Sequence, residues 1–274
     1  MSTLDELARR AQGGDREALE QLVRGLSDRM YGLAVRMLGH REHARDATQE
    51  ILILIITQLS AFRGESSVTT WAYRVATHHL LRQKRRGRRW TFEELAEDEL
   101  GKPPNAIDES TLAVAEERLL EEQVFIGCTQ AMLQALDREQ RIAFVLGAIC
   151  ELESADAAYA LGISEAAFRK RLSRARATLD GFLAKHCGVA DGANRCRCVH
   201  QVNHNVAEKR VDPRRLDYAV SASKTSLEVL RAMNEIAETR RSLQIYRAQP
   251  KLVPDEDLAS FVHALIDAAS WSSA

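Results

Sequence analysis

The chain has 274 residues, which fits one to three domains, and 45% of them are hydrophobic, enough to build ordinary protein cores. Its 14 glycines and 5 prolines are too few for the frequent turns of a β-sandwich or barrel, so the composition favours an all-α fold. The formal net charge is −1, but residues 82–89 and 169–176 are basic and residues 92–122 are acidic. Two basic blocks around an acidic segment indicate two anion-binding surfaces joined by a linker.

The first ten residues, MSTLDELARR, contain no apolar core of a secretory signal, and the apolar run from Ile51 to Ile56 is too short to cross a bilayer. We therefore expect a cytoplasmic protein that has no membrane partner. In that reducing compartment the five cysteines are not expected to form a disulfide framework.

Residues 1–90 are predicted to form several helices, because apolar residues recur there at spacings of three and four. A loop over residues 62–66 separates two of these helices, and Ser66 or Ser67 can cap the second one. That second helix runs into the first basic block.

Residues 91–125 are acidic and contain Gly101-Lys102-Pro103-Pro104, so we predict a linker whose later part is helical. Beyond the second basic block, residues 187–213 form a loop with three cysteines. Residues 214–249 lack glycine and proline, which predicts a long helix, and a last amphipathic helix follows over about 258–266.

Residues 152–185 carry a helix-turn-helix pattern. A short helix ends at Gly162, which can adopt a positive φ in the turn, and Ser164 can cap the next helix. The second helix has an apolar face separate from its basic residues, formed by Phe168, Leu172, Ala175, Leu179 and Phe182. Such a helix can lie in the major groove of DNA, and the alternative is a helical hairpin with a solvated basic face.

Four short motifs occur in order along the chain. They are Asp46-Ala47-Thr48-Gln49-Glu50, Phe62-Arg63-Gly64-Glu65-Ser66 with Trp71-Ala72-Tyr73-Arg74, Leu161-Gly162-Ile163-Ser164, and Arg169-Lys170-Arg171-Leu172-Ser173-Arg174-Ala175-Arg176. Together they resemble regions 2 and 4 of the extracytoplasmic-function (ECF) type of RNA polymerase sigma factor, a branch of the sigma-70 family. The resemblance covers about residues 5–186.

The resemblance implies partners and roles. Core RNA polymerase, through its β′ clamp and β subunit, and promoter DNA would be the partners, and the acidic linker would thread through the polymerase. The clamp would be bound by Asp46, Gln49 and Glu50. The promoter −10 element would be opened and read by Phe62, Arg63, Ser66, Trp71, Tyr73, Arg74, His78, Arg82, Lys84 and Arg85. The −35 element would be read as duplex by Ser164, Glu165, Arg169, Lys170, Arg171, Arg174 and Arg176.

The cysteines after the second basic block are spaced C-x8-C-x-C, with a histidine close behind. Three thiolates and one imidazole can complete a tetrahedral zinc site, and a C-x-C pair also suits softer metals. We therefore predict that one zinc or other soft metal ion is bound by Cys187, Cys196, Cys198 and His200.

Several alternatives stay open for this loop. His186 or His204 can replace the fourth ligand, the cysteines can remain without a ligand, or they can form a redox switch. Cys128 and Cys150 lie on apolar helical faces and are predicted to be core residues. The loop also resembles Cys-rich extensions of some ECF sigma factors, including metal-responsive ones.

These observations predict an all-α protein with two small helical domains, residues 1–90 and 126–186, joined by an acidic linker at 91–125. A Cys-rich and helical extension at 187–274 is predicted to regulate the protein and to replace an anti-sigma factor. Regulation by a separate anti-sigma factor stays open as an alternative. The apolar run in residues 51–56 suggests that another domain, such as the extension, covers that helix.

The predicted function is that of a sigma factor that binds core polymerase and directs promoter-specific initiation. An enzyme is not expected, because the sequence contains no recognisable nucleophile–base set and no phosphate-binding loop. The alternative is a metal-responsive transcription regulator that binds duplex DNA by itself.

Overall fold

The computed structural model describes residues 3–83, 90–100, 114–214, 228–231, 241–249, 252, 260–261 and 264–265. Within these ranges the regular structure is helical apart from an isolated β-bridge between Cys187 and Cys196, so the predicted all-α fold is confirmed. The chain divides into two compact units. The first unit consists of residues 1–86, 145–170 and 252–274, and the second unit consists of residues 87–144 and 171–251.

The first unit is built mainly from helices near the N-terminus. They are α1 (Leu4–Gln12), α2 (Arg16–Leu38), α3 (Arg41–Gln58) and α4 (Val68–Arg82), followed much later in the chain by a π-helical segment (Val145–Ile149) and α8 (Ser154–Leu161). Side chains cap three of these helices: Thr3 accepts from the N–H of Glu6, Asp15 from Ala18 and Ser67 from Thr70. The predicted cap at Ser67 is therefore present.

The core of the first unit lies where α3 packs against α2 and α4. Ile51, Leu52 and Ile55 of α3 are fully buried, whereas Ile53 is 38% exposed. We expected another domain to cover this apolar run. The helices α2 and α4, which pack on α3, belong to the same predicted domain, and covering of the run by another domain stays a prediction.

The second unit contains most of the other described helices. They are α5 (Phe92–Leu100), α6 (Val114–Ala135), α7 (Arg138–Phe144), most of α9 (Glu165–His186), a 3-10 turn (Val199–Gln201), α10 (Val202–Ala207) and α11 (Arg241–Arg247). The start of the predicted linker is thus helical. Thr91 and Glu94 form a reciprocal capping box there, with each backbone N–H donating to the other's side chain at 2.9 and 3.1 Å.

Part of the predicted extension belongs to the core of the second unit. The Tyr246 ring of α11 packs edge-on against Phe144, with ring centroids 5.1 Å apart, and its hydroxyl donates to the Thr129 carbonyl at 2.8 Å. The backbone N–H of Ser242 donates to the Asp180 carboxylate of α9 at 2.9 Å. These contacts attach α11 to α6, α7 and α9.

The two compact units do not follow the predicted domain boundaries. Residues 145–170 were predicted within the second helical domain, but they pack in the first unit. The division by function stays a prediction, because a compact unit need not coincide with a functional region. Among the described residues, none of the helices is both long enough and apolar enough to span a membrane.

Candidate nucleic-acid and polymerase interface

The predicted polymerase-binding residues lie together on α3. Asp46 and Glu50 are exposed one helical turn apart, and Gln49 beside them is half-buried. Glu50 also reaches α4, because its Oε2 lies 3.1 Å from Nε2 of His79. Burial lowers the pKa of His79, and the nearby Glu50 carboxylate partly offsets this effect. Glu50 therefore links the exposed acidic edge of α3, formed by Asp46 and Glu50, to α4.

The loop between α3 and α4 is held by the first helix, which the sequence analysis did not assign to the site. The Gln12 amide donates to the carbonyls of Leu59 and Phe62 at 2.9 and 2.7 Å. The backbone N–H of Val68 donates to the Asp5 carboxylate at 2.6 Å. These α1 side chains fix both ends of the loop, and no sequence motif pointed to them because the bonds join residues far apart in the chain.

The aromatic residues of the predicted −10 set are buried in this conformation. Phe62 and Trp71 pack at a ring-centroid distance of 5.4 Å, each only 9% exposed, and Tyr73 is buried deeper. Burial, followed by the neighbouring Cys150, raises the pKa of Tyr73, and burial likewise raises the pKa of the Cys150 thiol. Both groups are therefore neutral near pH 7. Arg63 is exposed and Ser66 is half-buried.

One side of α4 packs against α8. Arg74 donates from Nη1 to the Tyr159 carbonyl at 2.5 Å, and its guanidinium lies 4.8 Å from the centroid of the Tyr159 ring. Thr77 donates from its hydroxyl to the Ala160 carbonyl at 2.9 Å in a buried environment. Burial, together with the positive charges of Arg74 and Arg82, lowers the pKa of His78. Arg82 is exposed, whereas Lys84 and Arg85 lie outside the described residues.

The helix-turn-helix forms as the sequence predicts. Gly162 adopts a left-handed conformation with φ of 65° after α8. The N–H groups of Gly162 and Ile163 bond back to the carbonyls of Tyr159 and Ala158, which is the Schellman pattern of a helix end. The Ser164 hydroxyl accepts from the N–H of Ala167 at 3.2 Å and caps α9.

Helix α9 separates apolar and basic residues. Phe168, Ala175 and Leu179 of the predicted apolar face are buried, and Leu172 and Phe182 are half-buried. The exposed residues of the predicted DNA-reading set are Ser164, Glu165, Arg169, Lys170 and Arg174, and the half-buried ones are Arg171 and Arg176. Arg169 pairs with Glu165 at 2.7 Å and Arg171 with Glu139 at 2.7 Å. The pair of Arg169 with Glu165 is exposed and therefore weak, so a phosphate can replace the carboxylate.

An arginine, which the sequence analysis did not single out, organises the cysteine loop. The guanidinium of Arg197 donates to the carbonyls of Gly192 and Cys196 at 2.8 and 3.0 Å, and it also bonds the Asn194 carbonyl. It lies so close to Gly188 that no Cβ fits there. The Asn194 amide in turn donates to the Cys187 carbonyl at 3.1 Å. The loop is thus folded by its own hydrogen bonds.

Two of the three cysteines of this loop lie side by side. Cys187 and Cys196 share the β-bridge, and Cys198 is buried. All three line a small apolar cavity of about 40 Å³ together with Cys128 and His186, whereas His200 does not line it. Burial raises the pKa of Cys187, opposed by the N–H groups of Ala190 and Val189. Among the described residues, no three cysteine, histidine or carboxylate side chains converge as a metal site, so metal ligation stays a prediction.

Comparison with known proteins matches the two parts of the chain that carry these residues. The family model of Sigma-70 region 2 matches residues 22–91, and that of Sigma-70, region 4 matches residues 126–179. The sigma-H factor of Pseudomonas aeruginosa is 30% identical over 184 residues, which are 65% of this chain and 92% of that protein. The ECF sigma factor SigE of Mycolicibacterium smegmatis is 32% identical over 63% of this chain and 65% of its own length, slightly under two thirds.

A helical region 2 and a helix-turn-helix region 4 together define a transcription initiation factor. The chain belongs to the sigma-70 family of RNA polymerase sigma factors, as a member of the ECF type. Both family models end before the cysteine loop, the second one at residue 179.

Proposed function

We propose that this chain binds core RNA polymerase and directs it to promoters by reading the −10 element with the loop and α4 and the −35 element with α9. The observation that carries this proposal is a correctly capped helix-turn-helix with an exposed basic face in the same chain as region 2. We expect it to act in the cytoplasm, where polymerase meets the chromosome, and to have no catalytic activity of its own.

The exposed arginines and lysine of α9 support duplex recognition. Arg169 and Lys170 lie in the first two turns, where a recognition helix contacts base edges, and Arg174 one turn later is placed for phosphates. Guanidinium groups suit both tasks, because they donate bidentately to guanine and to phosphate oxygens. This arrangement supports reading of the −35 element.

The exposed acidic edge of α3 supports docking on the polymerase. Asp46 and Glu50 point away from the core of the first unit, so a basic surface of the clamp can approach them without displacing other helices. The finer assignment to the β′ clamp and the β subunit follows from the family resemblance alone.

Promoter binding with and without core polymerase tests this function. The purified chain is mixed with bacterial core polymerase and a pool of genomic fragments, and the 5′ ends of the transcripts are sequenced. We expect initiation at a limited set of sites that share −10 and −35 sequences and that require both components. Equal transcription without the chain would contradict the proposal. Tight binding to the same duplexes without core polymerase would instead support a stand-alone regulator.

We also propose, for the extension, that Cys187, Cys196 and Cys198 take up one soft metal ion, with His200 as fourth ligand after a rearrangement of the loop. The three cysteines already line one cavity, which supports the proposal. Elemental analysis of protein purified without chelator should find about one ion per chain, and Cys196→Ser should lower it. Absence of metal under reducing conditions would remove the ligand assignment. Transcription measured after removal of residues 187–274 tests whether the extension or a separate anti-sigma factor regulates the chain.

A further inference from the structure

Four of the five cysteines of the chain line one cavity in the second unit. Three of them, Cys187, Cys196 and Cys198, belong to the cysteine loop, and the fourth is Cys128 of α6. We propose that Cys128 is the fourth ligand of the metal ion, in place of the sequence-predicted His200, so that four thiolates form a closed site of the zinc type. This inference rests on the proposed uptake of a metal ion by the loop and changes the choice of its fourth ligand.

Cys128 reaches the cavity because one face of α6 lies along it. Phe125, Cys128 and Met132 are three and four residues apart, and all three line the cavity. The sequence analysis predicted Cys128 to be a core residue, but the structure leaves it half-buried at the cavity wall. A thiol on this face of α6 therefore shares one space with the thiols of the loop.

The sulfur of Cys187 is already oriented by hydrogen-bond donors. The backbone N–H groups of Val189 and Ala190, two and three residues further on, donate to it. The N–H of Asp191 donates to the Cys187 carbonyl at 2.9 Å and closes the same turn. Donors of this kind orient metal-bound ligands and stabilise the negative charge of a thiolate. The turn after α9 is thus built as the surroundings of a ligand sulfur.

A positive charge lies beside the same pair of cysteines. A divalent ion with four thiolates carries an excess of negative charge, which a buried site has to compensate. The Arg197 guanidinium donates to the Cys196 carbonyl at 3.0 Å and acts electrostatically on the Cys187 sulfur. Arg197 therefore supplies compensating charge without using a ligand position.

The size and the walls of the cavity fit an ion better than an organic molecule. Its volume is about 40 Å³, whereas pockets for small molecules begin at about 300 Å³. Apart from the four thiols, Thr129 and His186, the side chains that line it are apolar. Such walls keep water away, as in structural zinc sites whose four positions are all filled by protein. Among the described residues the four sulfurs do not converge on one point, so the ion would draw them inward.

The two nearby histidines are less well placed than Cys128. His200 does not line the cavity, although its Nδ1 is buried without a hydrogen-bond partner in the described part of the chain. His186 lines the cavity, but it directly precedes Cys187 at the end of α9, and adjacent residues of a helix point in different directions. Its ring packs against Phe182 with centroids 4.8 Å apart.

X-ray absorption at the zinc edge tests the ligand set in the complete wild-type chain. The protein is purified without chelator under reducing conditions and loaded with one equivalent of zinc. We expect a first shell of sulfur alone, with four atoms at about 2.3 Å. A shell of three sulfurs and one nitrogen, the latter at about 2.0–2.1 Å, would overturn the assignment of Cys128.

Zinc affinity of single variants, measured by competition with a chelator, supplies the second test. Loss of an outer-shell partner already weakens metal binding by about 10-fold to 100-fold, so Cys128→Ser should weaken it by at least about 100-fold, as Cys196→Ser should. Cys150→Ser is the matched control, because Cys150 is a half-buried cysteine of the first unit that does not line the cavity. Cys150→Ser and His200→Ala should keep the wild-type affinity. Weaker binding by His200→Ala together with wild-type binding by Cys128→Ser would also overturn the proposal.

The failures of the separate proposals give different results. A chain that takes up no zinc under reducing conditions overturns both the metal site and the role of Cys128. A chain that binds zinc through three sulfurs and a nitrogen keeps the metal site and loses only Cys128. Neither result depends on whether the chain initiates transcription with core polymerase, which is measured separately.

Discussion

The two surfaces proposed to read DNA, on α9 and on α4, differ in their exposure. On α9 the basic residues Arg169, Lys170 and Arg174 are exposed, and the ion pair of Arg169 is with a neighbour on the same helix. On α4 the comparable residue, Arg74, is bonded to a distant segment of the chain and stacked on Tyr159. In this conformation the basic residues of α9 face solvent, whereas Arg74 of α4 is engaged by α8.

The two surfaces also differ in what supports them. α4 is positioned by residues near the N-terminus, including Asp5 and Gln12 of α1. The later part of α9 lies in a unit whose core includes α11, through Tyr246 and through the bond from Ser242 to Asp180. Helix α11 of the extension is therefore a structural part of the unit that holds the later part of α9. Changes at Tyr246 should therefore destabilise the second unit, and changes at Gln12 should affect the loop between α3 and α4 in the first unit.

The largest expected effect comes from Tyr246, the buried aromatic residue of α11 in the extension. Tyr246 is 1% exposed, and Tyr246→Ala removes a buried ring, so the free energy of unfolding should fall by about 3–5 kcal/mol. Tyr246→Phe removes only the bond to the Thr129 carbonyl and should cost about 1 kcal/mol. Chemical denaturation, followed separately for each unit by hydrogen exchange, measures both. Equal losses in the two units would contradict the separate support of α4 and α9.

The next effect concerns duplex recognition alone. Arg169→Ala should weaken binding to −35-containing promoters by about 1–3 kcal/mol if the side chain contacts a base, with affinity for core polymerase unchanged. Arg195→Ala is the matched control, because Arg195 is an exposed arginine outside the helix-turn-helix. Run-off transcription from a −35-dependent promoter compares them. Normal transcription by Arg169→Ala would exclude this residue from −35 recognition.

A smaller effect is expected for the −10 loop. Gln12→Ala removes two bonds to the carbonyls of Leu59 and Phe62, each worth about 1 kcal/mol, and should loosen the loop without altering α9. We expect weaker opening of promoter DNA, measured by permanganate reactivity of unpaired thymines, while binding to a −35 duplex stays at the wild-type level. Gln21→Ala serves as control, because Gln21 bonds only within its own helix. Unchanged opening would mean that the loop is fixed by other contacts.

The local sequence pattern predicted the turn and the cap of the helix-turn-helix correctly. It did not predict the contacts between residues that are far apart in the chain. The turn at Gly162 and the cap at Ser164 depend on residues within a few positions, and both are confirmed. The capping box at Thr91 is equally local, and the sequence analysis overlooked it within an acidic segment taken as a linker. Contacts such as Arg74 with Tyr159 or Tyr246 with Thr129 join residues about 85 and 117 positions apart, and periodicity carries no information about them.

The smallest expected effect is a pH dependence of the stability of the first unit. Burial and the charges of Arg74 and Arg82 hold the pKa of His78 below 6.5, its ordinary value, so the folded environment disfavours its protonated form. A group whose pKa is lowered on folding contributes stability that is present above the ordinary pKa and lost as the pH falls through the lowered one. The pKa of His79 is lowered in the same direction, with Glu50 opposing the shift. Lowering the pH from about 7.5 to 5.5 should therefore lower the free energy of unfolding of the first unit, measured by chemical denaturation. His78→Gln should make this free energy less sensitive to pH, and a first unit that becomes more stable on acidification would contradict the direction of the His78 shift.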